Sequence, residues 1–512
     1  MIQYFSTNLV LINPMIIGLL NLLTPFISKE DTSLRSFFLL FISALFLLNV
    51  VILDCLFLDG YTHQYTIFAF GKYSIVFEME ALGLIFLTLL AFLWICALLY
   101  TIKFLSINGM PASNRFLFFI NLCIVIGAFI ALAANLFTMF IGYELLTLAT
   151  LPLIAHFPNR SCMSGLYKYI KILMLSSVGL FLPAILVIYH YVGHGDFMQS
   201  GFIQGYFEDT TAKLLFLVMI FGVAKASLYP MHSWLPAAMV ATYPVSAILH
   251  AVVVVKTGLF CIYKIMIYVF GIEYLNFLFA DNNLLLLLPA ITIIYSSVKA
   301  ISYTNIKMML AYSTINQLSI ALLSAFLLTP KGMNAAILHM ISHSFTKICI
   351  FYSAGNMYSV KTAYRIGELI GIKTTMPKTS FVMLIAGLSL IGIPPFAGFI
   401  SKLYILLAAA EVNSLFVMSI VLISSLFSAL YVIKMLIFIY RPTKDNFILH
   451  LKLKPYFDEP RERRSSKRII SLLHRAEKRL PVFMIIGIGL CMCGVVGFVF
   501  IQKIIMQFLL FI

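Results

Sequence analysis

Long apolar runs alternate with short polar segments along nearly the whole chain. Fourteen of these runs are about 20 residues long, which is enough to cross a bilayer as a helix. They lie near residues 9–27, 36–58, 82–105, 116–134, 136–157, 168–192, 212–231, 244–270, 283–302, 306–329, 333–357, 379–402, 414–440 and 482–502. A membrane barrel would show shorter strands of alternating polarity. The pattern therefore predicts an all-α integral membrane protein with about 14 transmembrane helices.

Composition agrees with this class. Only 11% of the residues are charged and 62% are hydrophobic, whereas soluble domains average roughly 25% charged residues. The eight cysteines lie mostly inside apolar runs without the spacing of metal ligands, so we interpret them as packing residues. The chain also lacks a dinucleotide fingerprint and a haem-type histidine pair. We therefore expect no cofactor and no metal in this chain.

Basic residues gather in every second connection between the predicted spans. Six alternate connections carry 24 of the 35 Lys and Arg residues, and the opposite connections carry four. By the positive-inside rule this places both termini on the non-cytoplasmic side, as in a multi-pass protein of the bacterial inner membrane. The net charge of +16 thus has a topological explanation, and no nucleic-acid partner is expected.

The connection 441–480 is the most basic of all. Its segment RERRSSKRIISLLHRAEKRL places apolar residues at helical spacing among Arg and Lys. Such a segment is able to lie on an anionic cytoplasmic leaflet. A solvated linker fits the composition as well.

Five charged residues lie near the middle of predicted spans. They are Glu144, Lys225, Lys256, Lys347 and Lys402. Left facing lipid, each would cost about 2.5–3.5 kcal/mol. Together that is roughly 12–18 kcal/mol, as large as a typical folding stability of about 5–15 kcal/mol. These groups must therefore be paired, hydrated or partly neutral inside the bundle.

Three other lysines, Lys171, Lys264 and Lys434, lie nearer the ends of spans, and we expect them to snorkel towards water. Glu144 and Lys225 are predicted at similar depth on different spans, so that each would lower the other's cost of burial and form a switchable pair. The alternative is that Glu144 only fixes helix packing through hydrogen bonds.

The eleventh span carries His339, His343 and Lys347 at intervals of four residues, which places them on one helix face. Two histidines at this spacing can bind zinc, but no acidic or cysteine partner is near them in sequence. A hydrated, proton-conducting stripe fits better, because imidazole titrates near neutral pH.

Prolines interrupt the seventh and twelfth spans close to their lysines. Pro230 and Pro236 follow Lys225, and the pair Pro394–Pro395 precedes Lys402. A broken helix is tolerated at membrane depth only where the freed backbone groups meet protein or water. Two broken, lysine-bearing regions in the two halves suggest an inverted-repeat architecture.

Several motifs resemble those of one family, the antiporter-like proton-translocating subunits shared by respiratory complex I and Mrp-type sodium/proton antiporters. The motifs are KASLYPMHSWLPAAM from Lys225, PVSAILH ending at His250, VKTG at Lys256, YEL at Glu144, AYS four residues after Lys307, the stripe from His339 to Lys347, and GIPPFAGFISK ending at Lys402. They fall on the expected spans in the expected order. Asn305 and Met308 depart from the family pattern beside Lys307.

The resemblance implies a fold of fourteen helices with two inverted five-helix repeats and broken helices 7 and 12. Helices 1–3 would occupy 1–115, the first repeat 116–270, the second repeat 283–440, the basic loop 441–480 and helix 14 residues 481–512. It also implies that Glu144 and Lys225 are an ion pair, that His250, Lys256, His339, His343 and Lys347 relay protons, and that Lys402 is the terminal proton site.

The form GIPPFAGFISK is similar to the D subunit of Mrp-type antiporters and to the shorter complex I subunits. This favours membership of a monovalent cation/proton antiporter that moves protons in exchange for sodium or potassium, with other membrane subunits as partners. A proton-pumping subunit of NADH-quinone oxidoreductase is the alternative. A membrane scaffold that transports nothing is a second alternative.

Overall fold

The computed structural model describes residues 2–27, 32–280, 284–442 and 480–511. Most of the basic connection 441–480, with its amphipathic segment, lies outside the described residues. The first half contains α1 (Ile2–Ile27), α2 (Thr32–Leu58), α3 (Ala81–Ile107), α4 (Ser113–Ala131), α5 (Leu136–Ile154), α6 (Arg160–Tyr191), α7 (Asp209–Gly222), α8 (Tyr243–Phe270) and α9 (Ile272–Phe279). The second half contains α10 (Leu284–Ser302), α11 (Ile306–Ala325), α12 (Pro330–Lys361), α13 (Pro377–Ile391), α14 (Ala397–Glu411), α15 (Leu415–Tyr440), α16 (Val482–Val496) and α17 (Phe498–Leu509).

Every one of the predicted apolar runs overlaps a helix. Within the described residues, nine helices are long and apolar enough to cross a membrane, or ten if the bent pair α16–α17 counts as one span. Several remaining runs are divided into shorter helices, so the total of fourteen spans stays a prediction. The last run, expected as one span over 482–502, bends by 70° between α16 and α17.

A β-hairpin lies between α2 and α3, where the hydropathy pattern predicts only a connection. Strands β1 (Gln64–Phe70) and β2 (Tyr73–Glu78) are antiparallel and joined by Gly71 and Lys72. Their β-branched and aromatic residues favour strands. The strands have only 7 and 6 residues, so they do not produce an apolar run of about 20 residues. The hairpin is continued by a bridge from Phe77 to Ala133, just after α4. We call this end of the bundle the hairpin end.

Helices 7 and 12 of the prediction are both broken. After α7 ends at Gly222, the chain passes through single 3-10 turns at Ala224–Ala226 and Met231–Ser233 before the short helix Trp234–Ala237. The twelfth span divides at Gly392–Phe396 into α13 and α14, so that Lys402 lies in the second half of the broken helix. The prolines thus act where the sequence predicts, because a proline ring and its missing N–H both disrupt the helical ladder.

The helices that carry most of the candidate residues are also the most enclosed. Every residue of α8 from Ile248 to Phe270 is buried, and so is every residue of α12 from Ala335 to Met357, whereas most of α2 and α15 is exposed or half-buried. The outer helices therefore face the surrounding medium with apolar side chains. Charged residues on α8 and α12 lie inside protein, where only protein groups and water can stabilise them.

Candidate functional site

The broken seventh helix packs directly on α8 at Gly258. A Cβ atom at Gly258 would overlap the backbone nitrogen of Ala226 and the carbonyl carbon of Lys225. Only glycine permits this approach. A similar contact occurs at the other break, where a Cβ at Gly398 would overlap the Ser389 carbonyl oxygen. Both lysine-bearing breaks are therefore held by close backbone packing.

We expect Gly258→Ala to lower the free energy of unfolding by about 1–3 kcal/mol or more, the usual cost of overpacking, because the atoms it meets are backbone and cannot rotate away. Thermal unfolding in detergent measures the effect. Gly489→Ala, on α16, is the matched control, since its added Cβ meets no atom within 4 Å. Equal stability of the two variants would contradict this packing.

Lys225 lies fully buried in the break and turns towards α5. Its Nζ donates to the carbonyl oxygen of Tyr143 at 2.5 Å and lies 3.2 Å from the centre of the Tyr143 ring. Its backbone N–H donates to the Tyr143 hydroxyl at 3.1 Å. A carbonyl dipole and a ring face both favour a cation, so this one tyrosine holds the ammonium group.

Glu144 follows Tyr143 on α5 but does not bind Lys225 here. Both of its carboxylate oxygens are buried without a hydrogen-bond partner among the described residues, and its side chain is not within 4.0 Å of Lys225. The Lys225 ammonium group is instead held by the carbonyl oxygen and the ring of Tyr143. The expected direct ion pair is therefore not formed in this conformation.

The centre of the site is a contact between α8 and α12. Nζ of Lys256 lies 2.5 Å from Nδ1 of His343, and both side chains are buried. His250 lies a turn and a half earlier on α8, in a π-helical turn, with its ring against Phe351 at 5.0 Å between centres. Both His250 ring nitrogens are buried without a partner among the described protein groups. Buried polar atoms ordinarily have a partner, so this position favours water as a neighbour.

A line of polar contacts that begins at Lys256 and His343 continues to α14. The rings of His343 and His339 stack with centres 6.4 Å apart. Nδ1 of His339 lies 2.9 Å from the Ser401 hydroxyl, which also accepts a hydrogen bond from Ser342 at 2.9 Å. Ser401 directly precedes Lys402, so the structure joins the eleventh-span stripe to the broken twelfth helix.

Lys402 uses the carbonyl groups that the helix break sets free. Its Nζ donates to the carbonyl oxygens of Leu390 at 3.1 Å and Ile391 at 2.8 Å, and to the Ser425 hydroxyl at 3.1 Å. The last carbonyls of a helix lack partners within the helix and carry partial negative charge. The break thus builds a cation site at the end of α13.

Lys347 departs from the predicted stripe. It is fully buried, but its Nζ turns to α11, where it donates to the Leu310 carbonyl at 3.2 Å and to the Ser313 hydroxyl. No hydrogen bond of the described residues joins Lys347 to His343, or Lys225 to Lys256. The direct contacts therefore run from Lys256 through His343 and His339 to Ser401, with Lys225 and Lys347 beside that line.

Two lysines contribute contacts that sequence reasoning missed. Lys264 on α8, expected to snorkel, is fully buried and pairs with Glu80 at 2.5 Å from Nζ to Oε1. That expectation is wrong because α8 is enclosed along its whole length. Lys307, at the start of α11, donates to the carbonyl of Ala241 and lies 4.6 Å from the Tyr243 ring centre. It thereby ties α11 to the chain just before α8. For Lys264, the sequence offers one indication of its partner: Glu80 is a carboxylate at the edge of the apolar run of α3.

The histidines do not form a metal site with other ligands. Across residues 2–27, 32–280, 284–442 and 480–511, no three His, Cys, Asp or Glu side chains are grouped to hold a metal ion. Nδ1 of His343 instead contacts a lysine, and a lysine ammonium is a poor neighbour for a metal cation.

A family model described as "NADH:quinone oxidoreductase/Mrp antiporter, TM" matches residues 133–428. The NADH-ubiquinone oxidoreductase chain 5 of Neurospora crassa is 29% identical over 363 residues, which are 68% of this chain and 48% of the relative. The A subunit of the Na(+)/H(+) antiporter of Alkalihalophilus pseudofirmus is 29% identical over 363 residues, covering 66% and 43% of the two chains. The NADH-quinone oxidoreductase subunit N of Desulforudis audaxviator is 28% identical over 364 residues, covering 70% and 71%.

The chain spans about half the length of the first of these relatives. Two solved structures share the fold over nearly the whole chain. The membrane-bound sulfane sulfur reductase, an archaeal respiratory membrane complex, has a chain with a TM-score of 0.75 and 21% identity, with 98% and 96% of the two chains covered. The Mrp complex from Dietzia sp. DQ12-45-1b has one with a TM-score of 0.75 and 19% identity, with 97% and 99% covered. At these identities the likeness shows the fold alone.

Proposed function

Because the chain belongs to the family of membrane subunits shared by NADH:quinone oxidoreductase and Mrp antiporters, we propose that it translocates protons along a line of buried polar side chains. The observation that carries this proposal is the run of contacts from Lys256 through His343 and His339 to Ser401, next to Lys402. These groups run from α8, which packs on the first helix break, to α14, which follows the second. In a purely structural bundle, burying so many titratable groups would cost free energy without adding stability.

Lys225 serves as the switch in this mechanism. In the present conformation its ammonium group is seated on Tyr143, and the Glu144 carboxylate next to it has no partner among the described residues. A rotation of either side chain would bring the two charges together. Pairing would hold the proton on Lys225, and separation would release it, because an opposite charge favours the charged form of each group.

Transfer along the line needs no covalent chemistry. Each step moves one proton between neighbouring nitrogen and oxygen atoms, directly where they touch and through water where they do not. Water is expected beside Glu144, His250 and the free Nε2 atoms of His339 and His343, which are buried polar positions without protein partners among the described residues. Lys347 would join the line when it leaves Ser313, and the lysine at the second break would deliver the proton.

We assign the chain to a multi-subunit membrane complex, in a role resembling that of the D subunit of a monovalent cation/proton antiporter. The motif GIPPFAGFISK supports this choice. Relatives named as sodium/proton antiporter subunits and as NADH-quinone oxidoreductase subunits match about equally well, so a proton-pumping subunit of the oxidoreductase is the alternative. The predicted topology supports a place in a bacterial inner membrane with both termini outside the cytoplasm.

Everted membrane vesicles that contain the native complex separate these functions. If the parent complex is an antiporter, adding sodium or potassium should collapse an imposed pH gradient without NADH. If it belongs to the oxidoreductase, NADH alone should acidify the vesicles, and sodium should have no effect. A response to neither, with the complex intact and the vesicles tight, would contradict proton translocation and leave the scaffold role.

A further inference from the structure

A buried ion pair lies at the hairpin end of α8, outside the line of contacts described above. Lys264 is fully buried, and its Nζ donates to the Ala133 carbonyl and pairs with Oε1 of Glu80 at 2.5 Å. Glu80 is the residue just before α3, and 14% of its side chain is exposed. The pair therefore connects the interior of the bundle to its surface at the hairpin end.

Other titratable groups lie around this pair, among them Cys261, which is three residues before Lys264 on α8. Glu78 comes from β2, Asp196 from the segment after α6, and Tyr268 lies one turn beyond Lys264 on α8. Burial raises the pKa of Glu80 to about 7, although the charge of Lys264 lowers it in part. Burial likewise raises the pKa of Glu78. Glu80 is thus able to take up and release a proton near neutral pH.

Lys264 and the central lysine stand on adjoining faces of one helix, about 80° apart around its axis. Lys256, Phe260 and Lys264 are four residues apart in succession, so the two lysines lie about 12 Å apart along α8. Phe260 lies between them. Its ring stacks on Phe86 of α3 with centres 4.6 Å apart, and Nζ of Lys264 lies 5.2 Å from the centre of the Phe260 ring. Both phenylalanines are fully buried.

A stack of two aromatic rings offers no hydrogen-bond donor or acceptor through which a proton could pass. Apolar constrictions of this kind close pores by excluding water. The rings thus lie between two polar sites on α8, the Lys256–His343 contact and the Glu80–Lys264 pair.

We propose that Glu80 and Lys264 form a second proton port of the chain, open to the hairpin end and closed in this conformation by the Phe86–Phe260 stack. This inference rests on the proposed proton translocation by Lys256. When the rings part, water would connect Lys256 to Lys264 and Glu80. When they stack, the port is insulated, which prevents protons from leaking past the coupled route.

The test is a measurement of passive proton leak in vesicles that contain the complex, without NADH and without a sodium or potassium gradient. We expect Phe260→Ala to raise the leak at least about tenfold, a barrier lower by about 1.4 kcal/mol. Phe260→Leu, which keeps an apolar barrier, should stay near the wild-type leak. Adding Glu80→Gln to Phe260→Ala should remove most of the extra leak. An amide can still form a hydrogen bond, but it does not take up and release a proton near neutral pH.

The proton dependence gives an independent readout. The leak through Phe260→Ala should saturate as the pH at the hairpin end falls below about 7, where Glu80 is protonated. A leak that is unchanged by Glu80→Gln, or a folded Phe260→Ala complex that does not leak, would overturn the port. If Phe260→Ala does not assemble, Phe86→Ala opens the same stack from α3 and takes its place. A wild-type complex that performs no coupled transport, while Phe260→Ala still leaks through Glu80, would instead count against the proposed function alone.

Discussion

Lys225→Ala is expected to lower proton-coupled transport by about two orders of magnitude. Lys225 is the fully buried base next to Glu144, seated on the Tyr143 carbonyl. Without it, the Glu144 carboxylate has no neighbouring lysine with which to exchange a proton. The barrier should then rise by the cost of a charge in an apolar interior, about 2.5–3.5 kcal/mol, which corresponds to that change in rate.

The measurement is the initial rate of pH-gradient formation or collapse in vesicles with equal amounts of assembled complex. Lys171→Ala is the matched control, since Lys171 lies exposed on α6 and its loss should leave the rate unchanged. Glu144→Gln should lower the rate too, because it leaves Lys225 without a carboxylate to pair with. A wild-type rate in Lys225→Ala would rule out the switch.

His343→Ala is expected to lower both stability and transport, because it removes the partner of Lys256. The free energy of unfolding should fall by about 1.5–3 kcal/mol, the size of a hydrogen bond to a charged group. Transport should fall at least about tenfold. Without the imidazole, a proton must pass from Lys256 to His339 with no group between them, and we expect the barrier to rise by about 1.4 kcal/mol or more. Thermal unfolding in detergent and vesicle transport measure the two effects.

His343→Gln separates the two roles of this side chain. The amide oxygen can accept a hydrogen bond from Lys256, so most of the stability should return. An amide cannot pass a proton on at neutral pH, so transport should stay low. If His343→Gln transported at the wild-type rate, His343 would only pack α12 against α8, and the relay would have to bypass it.

The positions of the polar residues in sequence were enough to find most of the candidate site. A lysine or glutamate in the middle of an apolar run is costly, and that cost alone indicates Glu144, Lys225, Lys256, Lys347 and Lys402. The motifs around them also indicated the family, and the family match over residues 133–428 confirms that prediction. The role of each residue in proton transfer stays a prediction.

The same reasoning failed where burial depends on neighbouring helices. Lys264 stands near the end of its apolar run, and an isolated helix would let it reach water. Because α8 is surrounded by other helices, Lys264 meets Glu80 instead. The hairpin over Gln64–Glu78 was missed for another reason, since its short alternating strands carry little hydropathy signal beside twenty-residue spans.

Hydropathy and proline positions alone determined that the chain is a helical membrane protein, where its apolar runs lie and which two helices break, because these follow from solvation and local backbone geometry. Only the tertiary structure decided which charged groups touch. It seats Lys225 on Tyr143 rather than Glu144, and it directs Lys256 to His343. Partners such as Lys256 and His343, which are 87 residues apart, are chosen by how whole helices pack, and that choice leaves no local pattern in the sequence.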